Sequence, residues 1–172
     1  GEARGVHFPL TCLKEYHENP TTKENNLEGR GIPAGAMSAA HIIWAAGQQH
    51  NINPQTLIVL LQKEQALVTD DWPWPIQFRA ATGYGCPDTA PCDAEYYGFY
   101  NQVQNADRQF RSYFNNPNSF NHVPFQNNFV RWHPNAACGG SQVFIENRAT
   151  AGLYNYTPYQ PNGTALSNIY GA

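Results

Sequence analysis

Charge is what this sequence has least of. Asp, Glu, Lys and Arg make up 13% of its 172 residues, about half the usual share. Ten basic residues against thirteen acidic ones leave a formal net charge of −3 with no Lys/Arg cluster, so a polyphosphate would meet no counterion-releasing surface. Nucleic acid is excluded as the main ligand. No apolar run approaches the ~20 residues a spanning helix needs, so no membrane span is expected. The first residues, GEARGVHF, lack the basic and apolar regions of a signal peptide, and a mature or trimmed fragment is expected. Repeats and low-complexity segments are missing as well. So are HExxH, GxSxG and a phosphate loop, which removes the usual signatures of zinc proteolysis, serine hydrolysis and nucleotide binding.

Cysteine is sparse, with four in all and no C-x2-C pair, so neither a zinc site nor any other metal site is expected, and disulfides are the better reading. Cys86 and Cys92 flank a short Pro-rich loop that favours bonding them to each other. That leaves Cys12 for Cys138, and an oxidising location outside the cytoplasm is expected. His41 and His50, nine residues apart, would not share a helix face as two metal ligands do. No cofactor is expected.

What the chain has in quantity is aromatic rings, 13% of residues, together with Asn, Gln, Gly and Pro. Rings cover the apolar faces of sugars and amides bond their hydroxyls, so this surface suits a neutral glycan. A secreted protein with an aromatic core has the same composition.

The segment NPQTLIVLLQKEQALV organises the rest. Asn53 is a good N-cap and Pro54 a good first helical residue, which predicts a helix over Asn53–Val68. Leu57, Leu60, Leu61, Glu64 and Val68 fall on one stripe of it, and Glu64 alone is charged. A carboxyl among leucines loses solvation, which favours its protonated form, the state of a general acid. The plainer reading is a structural ion pair with Arg79, Arg108 or Arg148.

Around this helix the chain reads as one mainly helical domain over residues 1–172. Residues 1–35 read as an irregular arm held by Cys12. Ser38 caps a helix running to about His50, with a stripe of Ala40, Ile43, Trp44 and Gly47, and the short loop at Asn51 and Ile52 makes it a packing neighbour of the Glu64 helix. Pro73 and Pro75 then stiffen the segment that presents Trp72 and Trp74, either as a hydrophobic lid over the core or as platforms on which sugars stack. Gly83 and Gly85 permit the tight turn that aims Tyr84. A third helix is predicted over Asp93–Asn115, with Phe99, Val103, Ala106, Phe110 and Phe114 inward. NFVRW and SQVFIE suggest a hairpin with Cys138 in its connection. A last short helix places Ala149, Leu153 and Tyr156 on one face before an irregular tail.

Taken together, NPQTLIVLLQKEQ, ATGYG and NRATAGLYNYTPY resemble the lysozyme-like peptidoglycan hydrolases, a superfamily that contains goose-type lysozymes and soluble lytic transglycosylases. The chain is similar in particular to lysozyme-like modules of secreted Gram-positive proteins, in which an LLQKEQ helix precedes a YTP helix. The resemblance spans roughly residues 38–160, and Gln65 and Ala66 after Glu64 depart from the E-S-G of transglycosylases. It implies a lysozyme-like helical domain with a small hairpin and disulfide-tied loops. It also implies cleavage of the β-1,4 glycan strands of peptidoglycan by a monomer, or by a module of a larger secreted protein. Glu64 would be the acid, with Gln65, Trp72, Trp74, Tyr84, Tyr154 and Tyr156 along the cleft. A second carboxylate would come from Asp70, Asp71, Asp88 or Asp93. Without one, the glutamate serves as acid and then base while the substrate supplies its own nucleophile. The competing class is a non-catalytic glycan-binding or adhesion module of the same fold.

Overall fold

The computed structural model describes residues 11–167. By its internal contacts the chain divides into two compact units, Gly1–Asp107 and Arg108–Ala172, and the boundary falls inside one long helix.

In the first unit a two-residue strand β1 (His17–Glu18) pairs antiparallel with β2 (Met37–Ser38), which leads into α1 (Ala39–His50). Ser38 caps α1 by accepting from the N–H of His41, and Asn51 ends it in the left-handed region. After Ile52, Asn53 caps α2 (Pro54–Gln65) in the same way, through the N–H of Gln55. The two helices pack side by side. Gly47 makes this possible, because a Cβ there would meet the Ile52 carbonyl and the Pro54 ring, both at 2.8 Å. Then come α3 (Pro75–Arg79), the Cys86–Cys92 disulfide loop, a 3-10 turn at Ala94–Tyr96 and α4 (Phe99–Asn115). Ile42, Leu57, Leu61, Phe78, Phe99 and Val103 form the middle of the core, with Tyr16 stacked on Phe78 at 4.3 Å between ring centroids. Fully burying aliphatic and aromatic side chains of this size contributes about 1.5–3 kcal/mol each.

Several expectations are corrected here. The helix at Asn53 stops at Gln65, because Ala66 turns left-handed (φ 55°) and Leu67, buried, returns its N–H to the Leu61 carbonyl in a Schellman-type cap. Val68 is therefore outside the helix and exposed. In α1 the buried stripe is Ala39, Ile42, Ile43, Ala46 and Gly47, so Trp44, expected inward, faces solvent. Of the arm expected to be irregular, residues 1–10 lie outside the described residues, whereas the remainder is built in. Tyr16, Glu18 and Leu27 are buried there, and Asn19 and Asn26 bond the turns on either side.

In the second unit β3 (Gln126–Arg131) and β4 (Gly140–Ile145) form the expected antiparallel hairpin, with Cys138 in a 3-10 turn of its connection. It is followed by α5 (Arg148–Tyr156), capped by Asn147, and α6 (Gly163–Ser167). Val130 and Ile145 point inward. The face of α5 that packs is Ala151 and Gly152, not Ala149 and Leu153, which are exposed. The amides that crowd this region have a structural use. Asn155 accepts from the N–H of His122 and donates to its carbonyl, both at 2.8 Å, and Asn128 holds Val123 in the same two-pronged way. Each side chain replaces a missing strand partner.

The architecture is thus helices with two small antiparallel pairs, which is a mixed rather than a mainly helical composition. The Cys86–Cys92 bond forms as expected, but Cys12 and Cys138 are free thiols. The thiol of Cys12 lies against the Asp71 carbonyl at 3.9 Å, while Cys138 stands exposed in the hairpin turn. Pairing them by elimination fails because local structure, not parity, decides where each sulfur points. No described helix is long and apolar enough to cross a membrane.

Candidate active site

Glu64 is the penultimate residue of α2, one turn past Leu60 and Leu61 on the same stripe and just before the reversal at Ala66. Its side chain is 26% exposed and lies 3.2 Å from the Lys63 ammonium, so the burial expected from the stripe is only partial. Arg79 and Arg148 make other contacts, over the rings of Tyr97 and Phe114. An exposed pair such as Lys63–Glu64 contributes at most about 1 kcal/mol and does not lock the carboxyl.

On its other side Glu64 rests on the glycine turn. Gly83 has φ +69°, and a Cβ there would lie 2.9 Å from Glu64 Oε2. Two separate demands thus select glycine at this position, the left-handed backbone and the close approach of the carboxyl. Residues 57–64 and 80–85, distant in sequence, meet at this carboxyl.

One buried side chain on α4 holds the turn in place. Gln102 Oε1 accepts from the N–H groups of Thr82 and Tyr84, both at 3.2 Å, and its Nε2 donates to the carbonyls of Tyr84 (2.9 Å) and Tyr96 (2.8 Å). The Thr82 hydroxyl adds a bond to the Gln102 backbone carbonyl at 3.0 Å. Tyr84, half-buried, packs edge-on against Tyr96 at 4.9 Å between ring centroids. α4 is itself positioned from below by Glu18, which accepts from the first N–H groups of the helix, Phe99 (3.0 Å) and Tyr100 (2.8 Å), and from the Tyr16 hydroxyl at 2.5 Å. Burial, and then the Glu18 carboxylate, push the Tyr16 phenol far above its usual titration range, so it serves only as a donor.

Neither Gln102 nor Glu18 is legible as a site residue in the sequence. Gln102 lies one step from Val103 on the buried stripe of α4, and that proximity is its only signal. Glu18 has none, since the helix N–H groups it holds are 81 and 82 residues away.

Gln65 donates to the Ala80 carbonyl, and Gln77 bridges the Gln65 carbonyl and the Asp70 carboxylate, so these three tie the end of α2 to α3. Asp70 also accepts from the N–H of Trp72. Asp93 caps the 3-10 turn through the N–H of Glu95, and Asp71 and Asp88 are exposed. Trp72 is half-buried and Trp74 39% exposed. In the second unit Tyr156 stacks on Phe110 at 4.8 Å, and Tyr154 lies 5.8 Å from the His122 ring, which gives both tyrosines packing contacts within that unit. Among the described residues no group of three His, Cys, Asp or Glu side chains is arranged to hold a metal ion.

Set against known protein families, characterised proteins and solved structures, the chain finds no match in any of the three.

Proposed function

We propose that this chain is a secreted enzyme of lysozyme-like fold that cuts the β-1,4 glycan strands of bacterial peptidoglycan, with Glu64 as general acid. The observation that carries the reading is the seat of Glu64 on Gly83, a carboxyl at a helix end held against a glycine turn that a buried glutamine fixes. A general acid has to be presented at a fixed point to a leaving oxygen, and a carboxyl about a quarter exposed is accessible without being loose. The resemblance of the LLQKEQ and GYG stretches to that superfamily supports the same residue.

Asp70 and Asp93 already hold local N–H groups. We therefore infer a one-carboxylate mechanism; the paired carboxylates of retaining and inverting glycosidases, ~5–9.5 Å apart, would need Asp71 or Asp88 at that distance from Glu64. Glu64 gives its proton to the glycosidic oxygen as the C1–O bond breaks. The resulting carboxylate then takes the proton of a sugar hydroxyl as that oxygen closes onto C1. No water is consumed, and the product carries an internal anhydro ring.

Loss of turbidity of purified cell walls tests the assignment. Glu64→Gln keeps shape and removes the acid, and it is expected to slow clearing about 10²–10⁴-fold. Clearing by Glu64→Gln near the wild-type rate defeats the proposal. The Lys63 contact favours a second reading, a glycan-binding module in which Glu64 is structural, and this predicts co-sedimentation with walls and no clearing by either protein.

A further inference from the structure

The outward face of the β3–β4 hairpin carries rings where a small solvated sheet normally carries polar side chains. Directly paired residues share a face, and on this one Asn127 stands opposite Phe144, Phe129 opposite Gln142, and Arg131 opposite Gly140. Ring and amide therefore alternate along each strand and across each of the first two rungs. Phe129 and Phe144 are each 57% exposed, and neither pairs with another ring among the described residues. The side-chain amides of Asn127 and Gln142 bond no other group among the described residues, and Arg131 has no ion-pair partner there. Asn128 and Asn155, by contrast, spend their amides in holding loops.

Gly140 explains how one ring is presented. A Cβ at Gly140 would lie 2.9 Å from Phe129 Cζ, so the edge of the ring reaches the bare glycine, and the ring is more than half exposed. At about 3.4 Å per residue and about 4.8 Å between strands, the face measures about 20 by 10 Å, or about 200 Å². A stable protein partner needs about 800 Å² from each side, so a second copy of the chain is too large an occupant for it. A narrow linear molecule fits.

We propose that this face is an accessory binding surface for a linear β-1,4-linked glycan with N-acetyl groups. The rings stack on pyranose faces and the free amides of Asn127 and Gln142 pair with acetamido groups, each supplying both a donor and an acceptor. Arg131 at the end of the face suits the carboxylates that such strands carry in cell walls. The identity of the glycan rests on the function proposed above, but the surface uses none of the residues that seat Glu64.

The test is co-sedimentation of the whole chain with purified peptidoglycan, together with NMR titration by β-1,4-linked N-acetylglucosamine oligomers. Phe129→Ser/Phe144→Ser is expected to weaken both at least about tenfold, the loss that two stacked rings represent. Amide shifts are expected within residues 127–131 and 140–144, and unacetylated β-1,4-glucose oligomers are expected to bind more weakly. Wild-type binding by a double variant that keeps its circular dichroism and thermal midpoint overturns the proposal. So does equal binding of the unacetylated oligomer. Concentration-dependent dimerisation, or flotation with phospholipid vesicles, that the double variant loses would assign the face to another occupant and also overturn it. Walls bound but not cut would leave this surface standing and remove the enzyme, whereas Glu64-dependent cutting with unaltered binding by the double variant does the reverse.

Discussion

Gly83 and Glu64 occupy one small volume, and single substitutions there separate stability from chemistry. Gly83→Ala forces a left-handed alanine, at about 1–2 kcal/mol, and pushes a methyl group against Glu64 Oε2. It is expected to lower the thermal midpoint modestly and wall clearing about 10²-fold, since a displacement near 1 Å of a reacting group has an effect of that size. Clearing at the wild-type rate by folded Gly83→Ala would dissociate the glycine turn from the site. Gln102 is the stricter case. Gln102→Leu keeps the volume but leaves the Thr82 and Tyr84 N–H groups and two carbonyls buried without that partner, which is expected to cost about 3 kcal/mol or more. Urea unfolding measures this directly, and a loss under about 1 kcal/mol would mean that water replaces the amide.

Helix starts and helix ends were not equally legible. Ser38 and Asn53 announce α1 and α2, and each is an N-cap with its side chain on a backbone N–H, because capping is local chemistry; Asn147 caps α5 in the same way. The end of α2 is hidden because alanine holds the left-handed position where glycine is the usual signal. Ala66→Gly should therefore stabilise the chain by about 1 kcal/mol, readable as a higher urea midpoint at unchanged slope, and a lower midpoint would show that the cap is not strained. The inward faces of α1 and α5 were legible only in part, with Ile43 and Gly47 buried as expected. Trp44 and Leu153 are apolar but exposed, while the small residues Ala46, Ala151 and Gly152 make the close contacts, and hydrophobicity alone ranks them the other way. Glu64 and the glycine turn were legible as separate motifs. That they touch was not, because Gln102 and Glu18 act through contacts distant in sequence.

At the scale of the whole molecule, the two compact units place different chemistry in different hands, the Glu64–Gly83 pair in the first and the aromatic hairpin face in the second. The second unit also contains a titratable group that reports on its folding. Burial holds the His122 imidazole below the ordinary histidine value of 6.5, against contacts with Asn155 and Tyr154 that act upward. The unfolded chain therefore binds a proton more readily than the folded one, so stability is full above about pH 6.5 and falls as pH drops toward the depressed folded value. His122→Gln should flatten the decline in thermal midpoint between pH 7.5 and 5 while keeping the Asn155 bonds, which go to backbone. An unchanged slope would place the sensitivity elsewhere. One carboxyl proton at Glu64 is proposed to break a sugar linkage, and mass spectrometry of fragments released from purified cell walls reads that event. Anhydro-ended fragments from the wild-type chain, and none from Glu64→Gln at the same protein concentration, are the predicted result. The same fragments in the same amount from both proteins would contradict it.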